Sequence, residues 1–212
     1  MVRAAVGRGL THLAITDHDR IDGALAARDS ARDELQVIVG QEVRTTAGDL
    51  IGLYLEKAIV PGLTPADAAQ EIRDQGGAVG VAHPFDRFRA GAGRRGWEQH
   101  LERLTPLLDF VEIFNARLLV GNGNRTAAEF AVRHGLPGVA VSDAHTVFEV
   151  GVSYTIMDGP LATAEELRQA LASARVVTAR GSRFVRAAMP VAKLVQRLRG
   201  NTRVAPQSSV RT

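Results

Sequence analysis

GLTHLAITDHD, residues 9–19, contains an apolar run, His12–Thr16, that stops at Asp17, His18 and Asp19. A run this short reads as a buried strand, because a helix needs roughly 10–12 residues. A strand ending in carboxylates and an imidazole carries potential ligands at its C-terminal end. The same arrangement returns four times. Gln36–Gly40 runs into Glu42, and Ala78–Ala82 into His83 and Pro84. Asp109–Ile113 carries Glu112 and ends at Asn115, and Gly138–Ser142 runs into Asp143 and His145. In a parallel barrel the C-terminal ends of all strands lie on one face, so the five clusters would converge there.

The intervening segments have helical spacing: Ile21–Glu34, Thr64–Gln75, Trp97–Leu107, Arg125–His134 and Thr163–Ser173, with Val2–Gly9 reading as the end of a helix. Thr64-Pro65 with Asp67, and Thr163 with Glu166, are helix-start signals, and Gly135 is a stop. Leu50–Leu55, Val152–Met157 and Val176–Ala179 read as further strands. Short apolar strands alternating with helices predict an α/β fold with a parallel sheet and helices outside, a βα barrel more than an open sheet. No GxGxxG follows the first strand, and the Gly91–Gly96 segment lacks a following Lys-Ser/Thr. Dinucleotide-binding and P-loop chemistry therefore lose their main support.

With 212 residues, 45% of them apolar, the chain suits one folded domain. It has no cysteine, so disulfides, thiolate metal sites and cysteine nucleophiles are excluded, and a metal must be held by His, Asp, Glu or water. MVRAAVGRGL does not read as a secretory signal, and no stretch reaches the roughly 18–20 apolar residues of a membrane span. A cytoplasmic location is the expectation. The formal net charge of +3 hides an asymmetry. Residues 1–166 hold 23 acidic and 16 basic residues, and residues 167–212 hold 10 basic and none acidic. An acidic body fits a site that gathers divalent cations.

Neutral imidazoles and carboxylates suit zinc, manganese or iron. A carboxylate such as Glu42 can bridge two cations, and paired cations can activate water and neutralise charge on a transferring phosphoryl group. His83-Pro84 reads as a ligand on a rigid turn, since proline favours extended geometry in the residue before it. Asp17 reads either as a partner that orients a ligating histidine or as a turn former. Arg87 and Arg117 follow two of the strand ends, where arginine can clamp a phosphate bidentately. Arg89, Arg94 and Arg95 share a glycine-rich loop that reads as flexible, with a lid as the sharper alternative. His12, His100 and His134 read as structural or solvent-facing, His134 favouring a helix C-terminus by its charge.

Together these segments resemble the PHP family (polymerase and histidinol phosphatase). Residues 9–19 look like its second motif, Gly40-Gln41-Glu42 its third, and Ala82-His83-Pro84-Phe85-Asp86 the next. Glu112–Arg117 resembles the strand after that, and Ser142-Asp143-Ala144-His145 the last. The resemblance covers about residues 2–180. It implies a distorted (βα)₇ barrel and hydrolysis of a small phosphoester by metal-activated water, with two or three divalent ions (Mn, Zn or Fe) in a complete site. It also implies that His18, Glu42, His83, Asp143 and His145 are metal ligands, with Asn115 near another ligand position. Family members open with an H-x-H motif and a Ser-Asp-Gly segment, and this sequence has neither. The barrel is therefore expected to lack its first strand, and one metal site is in doubt.

Two other readings stand beside the phosphoesterase. One is a catalytically impaired remnant with a metal-binding or regulatory role, favoured by the absent H-x-H. The other is an amidohydrolase-type enzyme, disfavoured because Lys57 and Lys193 are the only lysines and neither follows a strand as a metal bridge. Residues 181–212 read as a basic C-terminal helix and disordered tail. Packing on the acidic body is the first expectation for that helix; contact with nucleic acid or an anionic surface is the second. The sequence leaves the oligomeric state open.

Overall fold

A computed structural model describes residues 1–31, 33–86, 97–118 and 120–179, apart from the Glu98 side chain. Arg87, the loop arginines Arg89, Arg94 and Arg95, and the tail from Gly181 lie outside the described residues.

The strands are β1 His12–Ile15, β2 Gln36–Arg44, β3 Asp49–Leu53, β4 Ala78–Val81, β5 Phe110–Asn115, β6 Gly138–Val141, β7 Tyr154–Ile156 and β8 Arg175–Val177. The α-helices are α1 Val2–Val6, α2 Asp22–Ala31, α3 Pro65–Asp74, α4 Trp97–Leu104, α5 Gly123–His134 and α6 Ala164–Ala170. The expected starts are realised. Thr64 accepts the Asp67 N–H, Thr163 and Glu166 form a reciprocal capping box, and α5 ends on Gly135 at φ 64°.

Strands β1 to β6 form one sheet in chain order, curled as a half-barrel; β7 and β8 form a separate antiparallel pair. The sheet corrects the all-parallel expectation. β1–β2, β4–β5 and β5–β6 are parallel, but β3 runs antiparallel to both β2 and β4. The reason is the short 45–48 turn: four residues can close a hairpin but cannot carry the crossover that a parallel neighbour needs. Thr45 accepts the Ala47 and Gly48 N–H groups and donates to the Gly48 carbonyl, which fixes that turn. Reversing one strand leaves β1, β2, β4, β5 and β6 pointing the same way, so their C-terminal ends still share a rim. It also brings the N-terminal end of β3 to that rim.

Side chains alternate across a strand, and the two faces of the sheet have different partners. Val79, Val81 and Val111 pack with Ile72 of α3, Leu101 of α4 and Phe130 of α5. Ile38, Ile51, Leu53, Ala78, Phe110 and Val139 pack with Leu167 and Leu171 from α6 and the turn after it. By alternation, that second face becomes polar toward the shared rim: Glu42 follows Ile38 on it, Asp49 precedes Ile51, and Glu112 follows Phe110.

Candidate metal centre

Glu42 lies at the middle of the rim. One of its oxygens is 3.2 Å from His83 Nε2, and the other is 3.5 Å from His18 Nδ1. The backbone brings His18 there, because Asp19 N–H donates to the Glu42 carbonyl and Glu42 N–H donates to the Asp17 carbonyl. His83 is buried, and its φ of 28° places it in the left-handed region, not the extended geometry expected before Pro84. Asp143 is also left-handed, at φ 47°. Such backbone conformations cost on the order of 1–3 kcal/mol and concentrate at functional sites. Here two hydrogen bonds help hold the His83 turn. The His83 N–H donates to Glu112 (2.9 Å), and Trp97 Nε1 donates to the Pro84 carbonyl (2.6 Å).

Glu112 and Asn115 are three apart, and regular alternation would put them on opposite faces. The register of β5 shifts between Glu112 and Phe114. That bulge returns both side chains to one face. Asn115 Nδ2 donates to Glu112 (3.3 Å) and to Asp143 (3.1 Å), while Asn115 Oδ1 accepts the Arg117 N–H (3.0 Å). Asn115 thus ties two carboxylates together. His145 Nδ1 is 3.0 Å from the Asp143 carbonyl and 3.4 Å from its carboxylate. An Nδ1–H bound to that carbonyl leaves the Nε2 lone pair for another partner.

Arg117 is buried, 3.4 Å from Glu149 and 4.0 Å from Asp143, so it enters the site already held by carboxylates. Asp17 is at the exposed edge of the rim, its carboxyl in line with Gly23, where a Cβ would meet it at 2.4 Å. Asp49, which the strand-end pattern passed over, belongs to the cluster. The ligating atoms of Glu42, Asp49 and His83 all lie within 4.8 Å of one another. A sequence signal existed in Asp49 standing just beyond a short turn from Glu42, but it becomes legible only once β3 is known to run backwards. His12, His100 and His134 take no part: His12 contacts the Thr11 hydroxyl, His100 is exposed on α4, and His134 stacks on Phe130.

Burial alone would push the Glu42 carboxyl up. The hydrogen bond with His83 and the charges of His18 and His83 outweigh it and hold Glu42 below its ordinary value. Glu112 goes the other way, to about 7, first because it is buried and then because the charges of Asp143 and Glu42 face it, against the pull of His83. Asp17 is raised by desolvation and by the Asp22 charge.

These groups fit divalent cations. Two ligand atoms about 2.1 Å from a common ion at a near-tetrahedral angle lie roughly 3.4 Å apart, close to the His83–Glu42 separation of 3.2 Å. The charges of Asp143 and Glu42 that face Glu112 also favour positive charge between them. A separate concavity of about 570 Å³ along Leu35–Val39, with Tyr54 and Ala162, is lined by no histidine and one acid, Asp33.

The chain and its fold have relatives among known proteins. Residues 121–176 match a family model described as PHP-associated. The uncharacterized protein MJ1587 of Methanocaldococcus jannaschii is 32% identical over 117 residues, 55% of this chain and 64% of that protein. Among solved structures, a two-domain protein from Bacteroides vulgatus, containing a predicted PHP-like metal-dependent phosphoesterase, superposes with a TM-score of 0.67. It does so at 18% identity, over 83% of this chain and 59% of that one. The lesion-specific endonuclease EndoQ from Pyrococcus furiosus superposes with a TM-score of 0.57 at 14% identity, over 82% of this chain and 51% of that one. This chain spans less than two thirds of the length of each.

Proposed function

We propose that the chain is a metal-dependent phosphoesterase of the PHP type whose centre is the shared rim of the sheet, a reading supported by the match of residues 121–176 to the PHP-associated family model. The observation that carries this reading is the Glu42 carboxylate with an imidazole at each oxygen, His83 at 3.2 Å and His18 at 3.5 Å, among further buried carboxylates. We read the sheet as part of a distorted (βα)₇ barrel.

His18, Glu42, His83, Asp143 and His145 would hold the cations, manganese, zinc or iron, with Asp49 joining Glu42 and His83. When bound, the cations supply polarisation of water and compensation of the charge that develops on the phosphoryl oxygens. The side chains do the rest. Glu42 offers both oxygens between His18 and His83. Asn115 stands where another ligand was expected; with its amide nitrogen given to Glu112 and Asp143 and its oxygen to the Arg117 backbone, it fixes their orientation. Asp17, whose raised proton affinity suits a group that exchanges a proton, takes that role at the open edge. Arg117 meets the phosphate by exchanging a carboxylate partner for it, and Arg87 is assigned a phosphate contact as well.

Small phosphomonoesters are the first substrate class. The endonuclease neighbour makes a nucleic-acid phosphodiester the second to assay. The test is release of phosphate from an aryl phosphate by purified protein with manganese or zinc, abolished by chelation. Cation binding without turnover on mono- and diesters would leave the impaired remnant as the better reading.

A further inference from the structure

Glu149 is a fully buried acid, 2% exposed, four residues beyond His145 and outside every motif read from the sequence. Its two oxygens serve different masters. Oε2 accepts the His145 N–H at 2.9 Å, the Thr146 N–H at 3.0 Å and the Thr146 hydroxyl at 3.2 Å. Oε1 accepts from Arg117 Nη1 at 3.4 Å. Arg117 follows β5, and His145 follows β6, so this one carboxylate joins the loops that leave two adjacent strands. The loop is pinned from outside as well: Arg8, just beyond α1, donates to the carbonyls of Val147, Phe148 and Val150. With backbone donors captured inside and backbone acceptors captured outside, the segment from Asp143 to Val150 has little freedom to drift. That rigidity is needed because Asp143 is left-handed and must still present its carboxylate beside His145.

We propose that Glu149 is a positioning residue for the cation centre: it fixes the backbone of His145 and the guanidinium of Arg117 relative to each other. This rests on the metal-centre reading above. Removing a group that orients ligands costs 10–100-fold in metal affinity in well-studied sites, and the same range is expected here.

The test is manganese binding by calorimetry on the full chain, with wild type, Glu149→Gln and Glu149→Ala, and Asp109→Asn as a control. Asp109 is another buried carboxylate held by arginine, outside the cluster. Glu149→Ala is expected to weaken manganese binding at least tenfold. Glu149→Gln, which keeps an acceptor for the two N–H groups but loses the charge facing Arg117, should bind manganese more nearly as wild type does. Its KM for an aryl phosphate should change more than its kcat. Asp109→Asn should lower Tm without altering manganese affinity. Should Glu149→Ala fail to fold, Thr146→Val with Glu149→Gln gives the same comparison. Wild-type affinity in folded Glu149→Ala or, if that variant does not fold, in the Thr146→Val, Glu149→Gln double variant, or equal losses in the Asp109 control, would overturn the proposal. Absence of manganese binding by wild type would overturn the metal-centre reading itself, and this proposal with it.

Discussion

The two rims of the sheet both bury acid, and they treat it differently. At the rim where β5 begins, Asp109 accepts from Arg73 (2.8 Å), Arg168 (3.1 Å) and the Val79 N–H (2.8 Å), so one carboxylate meets two guanidinium groups and an amide. At the rim where β5 ends, the charges of Asp143 and Glu42 push Glu112 up, and imidazoles and an amide stand among these carboxylates. The first arrangement satisfies its charge internally and ties α3, β4, β5 and α6 together. The second gathers carboxylates with imidazoles that can ligate, a set that would suit a divalent cation. A buried carboxylate alone says little; the groups gathered around it separate scaffold from candidate site.

That contrast can be broken by experiment. His83→Ala should give the largest effect: loss of at least one bound cation per chain by elemental analysis and loss of phosphate release, with the far-ultraviolet spectrum unchanged. Unchanged metal content would remove His83 from the centre. Asp109→Ala should destabilise by about 2–3 kcal/mol, below the full value for a buried pair because both arginines reach solvent, and should leave cation affinity intact. Denaturant unfolding and calorimetry together check it.

Glu112 gives a smaller effect, confined to metal-free protein. Its folded value, about 7, lies above its ordinary 4.5. The folded state therefore holds the proton more tightly, and this contribution to stability is complete below about pH 4.5 and is lost as pH rises through about 7. Glu112→Gln should flatten that decline, read as Tm against pH with chelator present; identical profiles would show that Glu112 does not titrate there. Thr163→Ala, on the capping box of α6, should cost about 1 kcal/mol with no change at the metal centre.

Much of this was legible in the sequence. Strand ends could be read because apolar runs stop sharply at Asp, His and Glu, and the resulting convergence of His18, Glu42 and His83 needs only that their strands share a direction. Asp49 could not be read, because it opens its strand, and only an antiparallel neighbour brings an opening to the same rim. Glu149 was equally silent: it acts through backbone N–H groups, which leave no side-chain pattern. The bulge that turns Glu112 and Asn115 to one face was hidden too, since alternation in the letters alone sets them apart.

The 45–48 turn has a consequence for how this protein can vary. Glu42 and Asp49 reach the same cluster only because seven positions separate them across a four-residue reversal, and β2 and β3 pair Arg44 with Asp49. Adding one residue there would slide β3 by a step and turn Asp49 to the opposite side of the sheet. Gly48 narrows the choice further, since any side chain on it would strike the Trp97 ring at 2.4 Å. Descendants of this chain should accept insertions elsewhere on the surface long before they accept one between Thr45 and Gly48.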